Sequence, residues 1–413
     1  MHLSVYLWEL RAFARHIWVR ITLISGLALL AAGVTPLLSP LLPEAMKDRI
    51  DAATVTDLLS ILTNSMLAVA TFSLSVMVAA HHYAASQVTP RSHRLLRHDG
   101  RTQSVLATFI GAFVYALVAL IVINAGLFDG RDYAVVYGVT ILVIALVIVA
   151  LVRWVQQISG LGSVEATTNR VEAVTRAAID SRMSQPSMGA RPAVDVPKGA
   201  IPIFTKSFGW VEHIDRQALS DRAETLGATI HLAVQSGDRI TPGTTLMHVD
   251  IARMTVDDMA ELEAAVVVGS MRSFDQDPAF GLEVMSEIAQ RALSPGLNDP
   301  RTATDVVARQ VALLARWRDV SVADEPEFPN LHVPSLSAKV LVNVALDCIA
   351  RDGAHLVEVQ LAVQRALAHL ADHEAAEMRS AARHVSERAL ARSDANLSLA
   401  EDRAAVRSAA PQS

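Results

Sequence analysis

The segment Leu58–Arg97 decides the fold of this chain, and its sequence is LLSILTNSMLAVATFSLSVMVAAHHYAASQVTPRSHRLLR. Its first half is apolar enough to form a helix that crosses a bilayer core of about 30 Å. On a helical wheel, one line of small and polar residues falls within an arc of about 80°. This line contains Asn64, Ala68, Thr71, Ser75, Ala79, His82 and Ser86, and the residues opposite are Leu62, Met66, Val69, Val76 and Met77. The wheel therefore predicts that the apolar side faces lipid and the polar side faces protein or water.

We call Asn64, Thr71, Ser75 and His82 the polar stripe and take them as candidate pore or helix-interface residues. Ser73 is an exception, because it falls on the apolar side of the wheel. Its single hydroxyl is expected to donate to a preceding carbonyl of its own helix, which makes it tolerable in lipid.

The composition places part of the chain in a membrane. Its 413 residues could form two or three domains, but 52% hydrophobic residues and a mean hydropathy of +0.33 are too apolar for an ordinary soluble protein. The net charge of -6 argues against nucleic acid as a partner, because there is no general excess of positive charge. The single cysteine, Cys348, excludes a disulfide framework and is expected to be a buried thiol in a reducing cytoplasm.

Four apolar runs are long enough to span a bilayer, namely Ile21–Leu38, Leu58–Ala80, Val105–Ile123 and Tyr133–Val152. For the first run, an uncleaved helix is favoured over a cleaved signal peptide, because the run is long and other apolar runs follow. The loop after the second run carries four arginines, Arg91, Arg94, Arg97 and Arg101, whereas the loops on the other side carry few basic residues. This asymmetry predicts that both termini are cytoplasmic and that the four arginines contact anionic lipid headgroups.

Small residues one turn apart in the third run, such as Ala107 and Gly111, predict close packing of that helix against another one. The fourth run is almost purely aliphatic and is expected to face lipid. No span interior contains a carboxylate or an arginine, which argues against a proton-coupled carrier or a voltage sensor.

The predicted fold is an α-helical membrane domain with four transmembrane helices, followed by a cytoplasmic α+β region that has a small β subdomain and a helical C-terminal part. The predicted segments are a membrane domain at 1–155, a helix and linker at 156–199, the β subdomain at 200–250, the helical subdomain at 251–392 and a disordered tail at 393–413. Strands are expected at 203–207, 208–214, 229–234 and 245–249, and helices at 256–267, 278–293, 300–318, 336–351, 354–372 and 374–391. Ser163 and Asp215 are expected to cap two further helices, and 184–198 is expected to be a linker.

The densest polar motif of the chain begins at Phe274-Asp275-Gln276-Asp277-Pro278 and ends at Ser294-Pro295-Gly296-Leu297-Asn298-Asp299-Pro300. Each Asp-Pro pair is typical of a helix N-terminus, so two antiparallel helices joined by a tight turn explain the motif structurally. A functional interpretation remains open beside it. Asp275, Asp277, Asn298 and Asp299 would converge as oxygen ligands for a divalent ion or a polar ligand, with Arg291 as an anion partner.

The histidines give no specific chemistry. His81, His82, His93 and His98 could bind a transition metal or lie at the membrane interface, and no metal can be named. His213, His231 and His248 lie on or next to predicted strands without a nucleophile at a recognisable spacing, so a hydrolase is not inferred. The turns at Gly237-Asp238 and Pro242-Gly243 are loosely similar to those of biotinyl and lipoyl carriers. The subdomain has no lysine after Lys206, however, so no cofactor is expected.

The chain resembles the bacterial predicted membrane proteins grouped as domain of unknown function 2254. The segments that carry the resemblance are 72–74, 85–91, 107–115, 208–215, the turn at 237–238 and 276–300. The most specific of them is Ser294-Pro295-Gly296-Leu297-Asn298-Asp299-Pro300. The resemblance implies an integral protein of the bacterial inner membrane with a cytoplasmic domain, and it implies no agreed activity and no catalytic residues.

Two functions are consistent with these features. The first is an oligomeric channel or transport-related protein, in which second-span helices of several copies meet and the cytoplasmic domain senses a small ligand or ion. The second is a membrane-anchored sensor or scaffold without transport, which binds a ligand near Asp277 and Asp299. An enzyme is disfavoured, because neither a nucleophile-base pair nor a set of metal ligands can be identified.

Overall fold

The computed structural model describes residues 51–87, 100–128, 130–158, 163–318 and 326–412, together with a few separate positions between 19 and 91. Contacts divide the chain between residues 166 and 167 into two compact units. The N-terminal unit is Leu7–Ala166, and the C-terminal unit contains Thr167–Ser413.

Three long helices form the described part of the N-terminal unit: α1 (Ala52–Gln87), α2 (Gly100–Asn124) and α3 (Gly130–Ile158). Their apolar stretches, Ala52–Ala80, Ser104–Asn124 and Asp132–Gln156, are long enough to cross a membrane. They confirm long apolar helices at the second, third and fourth predicted spans. The first predicted span, 21–38, lies outside the described residues apart from scattered positions, so four spans remain a prediction.

One half of the helical-wheel prediction for α1, the direction of its apolar side, is wrong. Its apolar side, which includes Leu62 and Met66, is buried in a cluster with α2 and α3 rather than turned to lipid. Ser73 lies on this inner side, where it is only 2% exposed. Its hydroxyl makes no hydrogen bond to any described residue, so the expected bond to a preceding carbonyl is absent. The prediction failed because the wheel gives only relative directions and cannot identify the side that packs inside the chain.

The other two spans agree with the sequence. The small residues of α2, Ala107, Gly111, Ala112 and Ala116, are buried within the unit. Tyr115 of α2 reaches α3, where its hydroxyl lies 3.1 Å from Thr140 Oγ1. Much of α3 is exposed in the single chain, including Leu142, Ile148 and Val152, as expected for a helix that faces lipid.

Two sheets form the β-rich part of the C-terminal unit. Its first elements are α4 (Val164–Ser184), β1 (Ala190–Pro192), β2 (Ile201–Phe204), β3 (Gly209–Ile214), α5 (Arg216–Leu226), β4 (Thr229–Leu232), β5 (Arg239–Ile240), β6 (Thr245–Asp250), α6 (Val256–Ala264) and β7 (Val266–Gly269). A later strand, β8 (Phe328–Val333), completes a five-stranded sheet of order β1-β8-β4-β6-β2, and the smaller sheet has the order β5-β3-β7. Strands β1, β8 and β4 are parallel, and the other pairs are antiparallel.

Apolar residues that are neighbours across β4, β6 and β8, namely Ile230, Val249 and Leu331, pack into a core that the large sheet shares with Leu219 of α5. The predicted strands near β2, β3, β4 and β6 are confirmed, and Asp215 caps α5 as expected by accepting from the amide of Ala218. Strands β1, β5, β7 and β8 were not predicted. The segment expected to be a linker thus contains an edge strand, and the helix predicted to reach residue 267 ends at Ala264.

Helices make up the rest of the unit: α7 (Pro278–Ala292), α8 (Pro300–Leu314), α9 (Ala338–Val342), α10 (Cys348–Asp352), α11 (Val357–Ala371), α12 (Ala376–Asn396) and α13 (Ala400–Ser408). A π-helical turn, Asn343–Asp347, joins α9 to α10. Between α11 and α12, a buried Gln and Ser pair exchange hydrogen bonds, because Ser386 donates to Gln364 Oε1 and Gln364 donates to the Ser386 carbonyl.

Two details differ from the sequence-based expectation in this part. Where a disordered tail was expected from Ser393, the structure has the end of α12 and then α13, whose Val406 is fully buried. The tail is polar overall, but the burial of Val406 is enough to hold a short helix against the rest of the unit. Cys348 is half-buried rather than buried.

Candidate functional sites

The polar stripe of α1 lies on the outer surface of the N-terminal unit. Asn64, Thr71, Ser75 and His82 are all exposed in the single chain. The two hydroxyls bond within the helix, because Thr71 donates to the Leu67 carbonyl at 2.9 Å and Ser75 to the Thr71 carbonyl at 3.0 Å. Asn64 has no hydrogen-bond partner among the described residues. An amide near the middle of a span, turned outward, needs hydrogen-bond partners that lipid cannot supply.

The arginines predicted to contact lipid are described only in part. Arg91 is exposed, whereas Arg94 and Arg97 lie outside the described residues. For Arg101, the structure describes the backbone, which is part of α2. Of the neighbouring histidines, His93 and His98 also lie outside the described residues.

Helices α7 and α8 form the antiparallel hairpin that the Asp-Pro pairs predicted. Asp277 caps α7 by accepting from the amide of Phe280 at 3.0 Å, and Asp299 caps α8 by accepting from the amide of Thr302 at 3.1 Å. The hydrogen bond from the Thr302 hydroxyl, helped by the same amide, lowers the pKa of Asp299. The structural interpretation of both aspartates is therefore confirmed.

The structure does not bring the predicted oxygen ligands together. Asp275 and Asp277 lie at the start of α7, whereas Arg291 lies at its end and Asn298 and Asp299 follow it. A helix of 15 residues is about 22 Å long, so one ion cannot contact both groups. Asn298 has a left-handed φ of 47° in the exposed turn, which assigns it a backbone role there. The two groups resemble each other in sequence because each Asp-Pro pair starts a helix, and they are separated in space because these are two different helices.

Asp277 belongs instead to a buried cluster of charges. It is 3% exposed, and its second carboxylate oxygen accepts from Arg272 Nε at 2.8 Å, while the same guanidinium also pairs with Glu283. Burial raises the pKa of Asp277, and the charge of Arg272 opposes that rise. Gly237, with a φ of +95°, presses against this ion pair, because any side chain at that position would overlap the carboxylate.

Arg182 lies close enough to Asp277 and to Arg216 for their charges to interact, and we call Arg182, Arg216 and Arg272 the arginine cluster. Arg182 is on α4 and is 7% exposed, and Arg216 opens α5. Arg216 donates to Gln185 Oε1 at 3.2 Å and to the Met188 carbonyl. Burial, followed by repulsion from Arg216, lowers the pKa of Arg182 to about 10, so Arg182 remains charged at neutral pH.

The sequence pattern did not single out the arginine cluster. A signal was nevertheless present on α4, where Val171, Thr175, Ala178 and Arg182 recur at helical spacing. All four side chains are buried, so Arg182 is a charged residue on the otherwise uncharged inner face of α4. His213 of β3 lies at the same end of α7, and burial lowers its pKa while the nearby Asp215 and Asp275 oppose that change.

Three histidines form a row across the five-stranded sheet. In the register of the strands, His231 of β4 lies beside both His248 of β6 and His332 of β8. The rings of His231 and His332 stack with centroids 4.7 Å apart and an angle of 5° between their planes. Stacked rings do not converge on a metal ion, and among the described residues no group of His, Cys, Asp and Glu side chains is placed to hold one.

The chain belongs to the DUF2254 family, described as predicted membrane proteins, because the family model matches residues 14–369. This match confirms the resemblance noted from the sequence.

The chain is similar to uncharacterized proteins of Mycobacterium bovis and Mycobacterium tuberculosis. It is 29% identical to each over 247 residues, which cover 57% of this chain and 47% of each relative. The chain thus spans about half the length of these relatives. No solved structure matches it.

Proposed function

We propose that the protein is an oligomeric channel or transport-related protein of the bacterial inner membrane, with a cytoplasmic sensing domain formed by its C-terminal unit. The observation that supports this proposal best is the outward position of the polar stripe, and above all of Asn64. An amide without a partner in hydrocarbon costs several kcal/mol. A second copy of the chain, or water enclosed by several copies, would supply the missing hydrogen bonds.

The length of the polar stripe favours a pore over a local helix contact. From Asn64 to His82 an α-helix rises about 27 Å, which reaches from the middle of the apolar stretch Ala52–Ala80 to just beyond its end. A single interfacial amide would be enough to fix a dimer, whereas a polar line of this length offers a continuous path for water or ions. Copies of α1 arranged around a central axis would turn this line inward and leave α3 toward lipid.

The first test is flux through liposomes that contain the purified full-length protein. Asn64→Leu and Ser75→Leu should each reduce ion flux about tenfold or more, because an apolar ring in a narrow pore favours dewetting. Ser65→Leu is the matched control, since Ser65 is an exposed serine of the same helix about 100° away from Asn64. Wild-type flux equal to that of empty vesicles would refute the channel.

The alternative is a membrane-anchored sensor or scaffold without transport, and crosslinking separates it from the channel. Thr71→Cys should crosslink between copies with a short bis-maleimide in a Cys348→Ala background, whereas Leu142→Cys on α3 should not. Crosslinking at Thr71 without any flux would favour an oligomeric anchor. If Thr71→Cys yields only monomers, the oligomer itself is wrong.

A further inference from the structure

We propose that Arg182 and Arg216 form a binding site for a phosphate group, inorganic or esterified, at the N-terminal end of α7. If the C-terminal unit is the sensing domain of the proposed function, phosphate is the class of ligand that it senses. Only this sensing role rests on the proposed function. Binding itself does not depend on a channel.

The first step is the placement of Arg182. Thr175 of α4 packs against α7 so closely that a side chain at Gly281 would overlap it. Arg182 follows Thr175 by two helical turns on the same buried face. Asp277 precedes Gly281 by about one turn and is close enough to Arg182 for their charges to interact. Arg182 therefore points along α4 toward the start of α7, where the helix dipole is positive.

The second step is that Arg182 has no hydrogen-bond partner among the described residues, and its Nε is fully buried. Its 7% exposure leaves little access to water. A buried cation that makes no hydrogen bond and lies next to a second cation is unfavourable, and the capping carboxylate of Asp277 offsets this only through longer-range attraction. Arg216 also keeps donors, because both of its hydrogen bonds use the same nitrogen.

The third step is that the nearby carboxylates are already engaged. Asp277 accepts from Arg272 and Phe280, and Glu283 pairs with Arg272. Glu327 accepts from Gln185 at 3.0 Å, and Asp215 caps α5. These carboxylates leave Arg182 with long-range attraction but no direct bond.

A phosphate group fits this arrangement by charge and by hydrogen bonding. Its two negative charges match two guanidinium groups, and its oxygens accept bidentate hydrogen bonds from the planar fork of arginine. The positive end of α7 adds to the attraction, as helix N-termini do for phosphate in other folds.

The test is a phosphate titration of the full-length protein in detergent at constant ionic strength, followed by its melting temperature and by calorimetry. Inorganic phosphate should raise the melting temperature of the wild type saturably, whereas chloride should not. The same titration is repeated with glycerol 3-phosphate. Tighter binding of inorganic phosphate would identify free phosphate as the ligand class, and tighter binding of glycerol 3-phosphate would identify a phosphate ester.

Three variants make the test specific. Arg182→Met should abolish the response to phosphate and leave the melting temperature without phosphate unchanged or higher, because it removes an unpaired buried charge. Arg182→Lys should weaken binding on the order of tenfold, since it loses the bidentate fork. Arg170→Met, an exposed arginine of the same helix, should bind like the wild type.

The proposal is overturned if the wild type responds equally to phosphate and chloride, or if Arg182→Met keeps the response. It is also overturned if Arg182→Met melts at a much lower temperature without phosphate, since the arginine would then have a structural partner. None of these readouts uses flux, so failure of the channel and failure of the phosphate site are distinguishable.

Discussion

One glycine sets how closely α4 approaches α7. Gly281 faces Thr175, and an added Cβ at position 281 would overlap the hydroxyl and the Cβ of that threonine. Thr175 is buried and donates to the Val171 carbonyl at 2.7 Å, so turning its side chain away would break this hydrogen bond. The short distance between these helices therefore depends on the absence of a side chain at one position.

Gly281→Ala should destabilise the C-terminal unit by about 1–3 kcal/mol, despite the better helix propensity of alanine, because overpacking forces the two helices apart. The melting temperature of the full-length protein measures the effect. Gly296→Ala is the control, since no atom lies within 4 Å of an added Cβ in that turn. Equal melting temperatures for the two variants would show that the α4–α7 contact is loose.

A double-mutant cycle locates the clash. In the Gly281→Ala background, Thr175→Ala should restore part of the lost stability, although alone it should destabilise the protein. Recovery remains partial, because the Cβ of residue 175 is itself too close to the new methyl group. Additive effects of the two substitutions would mean that the residues do not interact.

At the scale of elements, local sequence signals predicted where helices begin. They did not predict strands that pair with segments far away in the sequence. Asp277-Pro278 and Asp299-Pro300 fixed the starts of α7 and α8, because cap and first-turn preferences involve only neighbouring residues. Strand β8 was missed because it contains Pro329 and pairs with β1 and β4, which are far away in sequence. Strand β7 was read as helix, since its valines continue the apolar pattern of α6.

The candidate sites show the same limit. The polar stripe was predictable as a line of residues, because helical periodicity fixes which side chains share a face. Which side of α1 packs inside the chain was not predictable, because that depends on α2 and α3. The arginine cluster joins α4, α5 and the segment before α7, so no local pattern contains it.

The histidine row across β8, β4 and β6 makes stability depend on pH. Burial, and the proximity of His332 and His248, lower the pKa of His231, which is 5% exposed and has no partner at Nδ1. The charge of Asp250 on β6 opposes this shift. A histidine with a lowered pKa in the folded state contributes stability above its unfolded pKa, about 6.5, and this contribution disappears as the pH falls through the folded value.

We therefore expect His231→Phe to flatten the loss of stability on acidification. The variant keeps a ring that can stack on His332 but has no group that titrates, so its melting temperature should fall less between pH 7.5 and pH 5 than that of the wild type. His369→Phe is the control, because His369 is exposed on α11. Identical pH profiles for wild type and His231→Phe would exclude His231 as a source of acid sensitivity.

At the scale of the whole molecule, the boundary between the units follows packing rather than composition. The polar segment after the last span looks like a connection, yet α4 belongs to the C-terminal unit from Thr167 onward. Its inner face buries Val171 and Ile179, and β1 pairs with β8 at the edge of the large sheet. Both elements precede residue 200, where a boundary drawn from the sequence would place the start of the soluble region.

The fragment 163–413 should therefore fold without the spans, whereas the fragment 200–413 should not form the same structure. Ser163 is kept because its hydroxyl accepts from the amide of Ala166 at 3.0 Å and caps α4. Loss of α4 exposes the face of α7 around Gly281 and removes buried side chains worth about 1.5–3 kcal/mol each, against a total stability of about 5–15 kcal/mol. Circular dichroism melts should show a cooperative transition for 163–413 and a lower, broader one or aggregation for 200–413. Equal melting transitions for the two fragments would mean that the core is complete without α4 and β1.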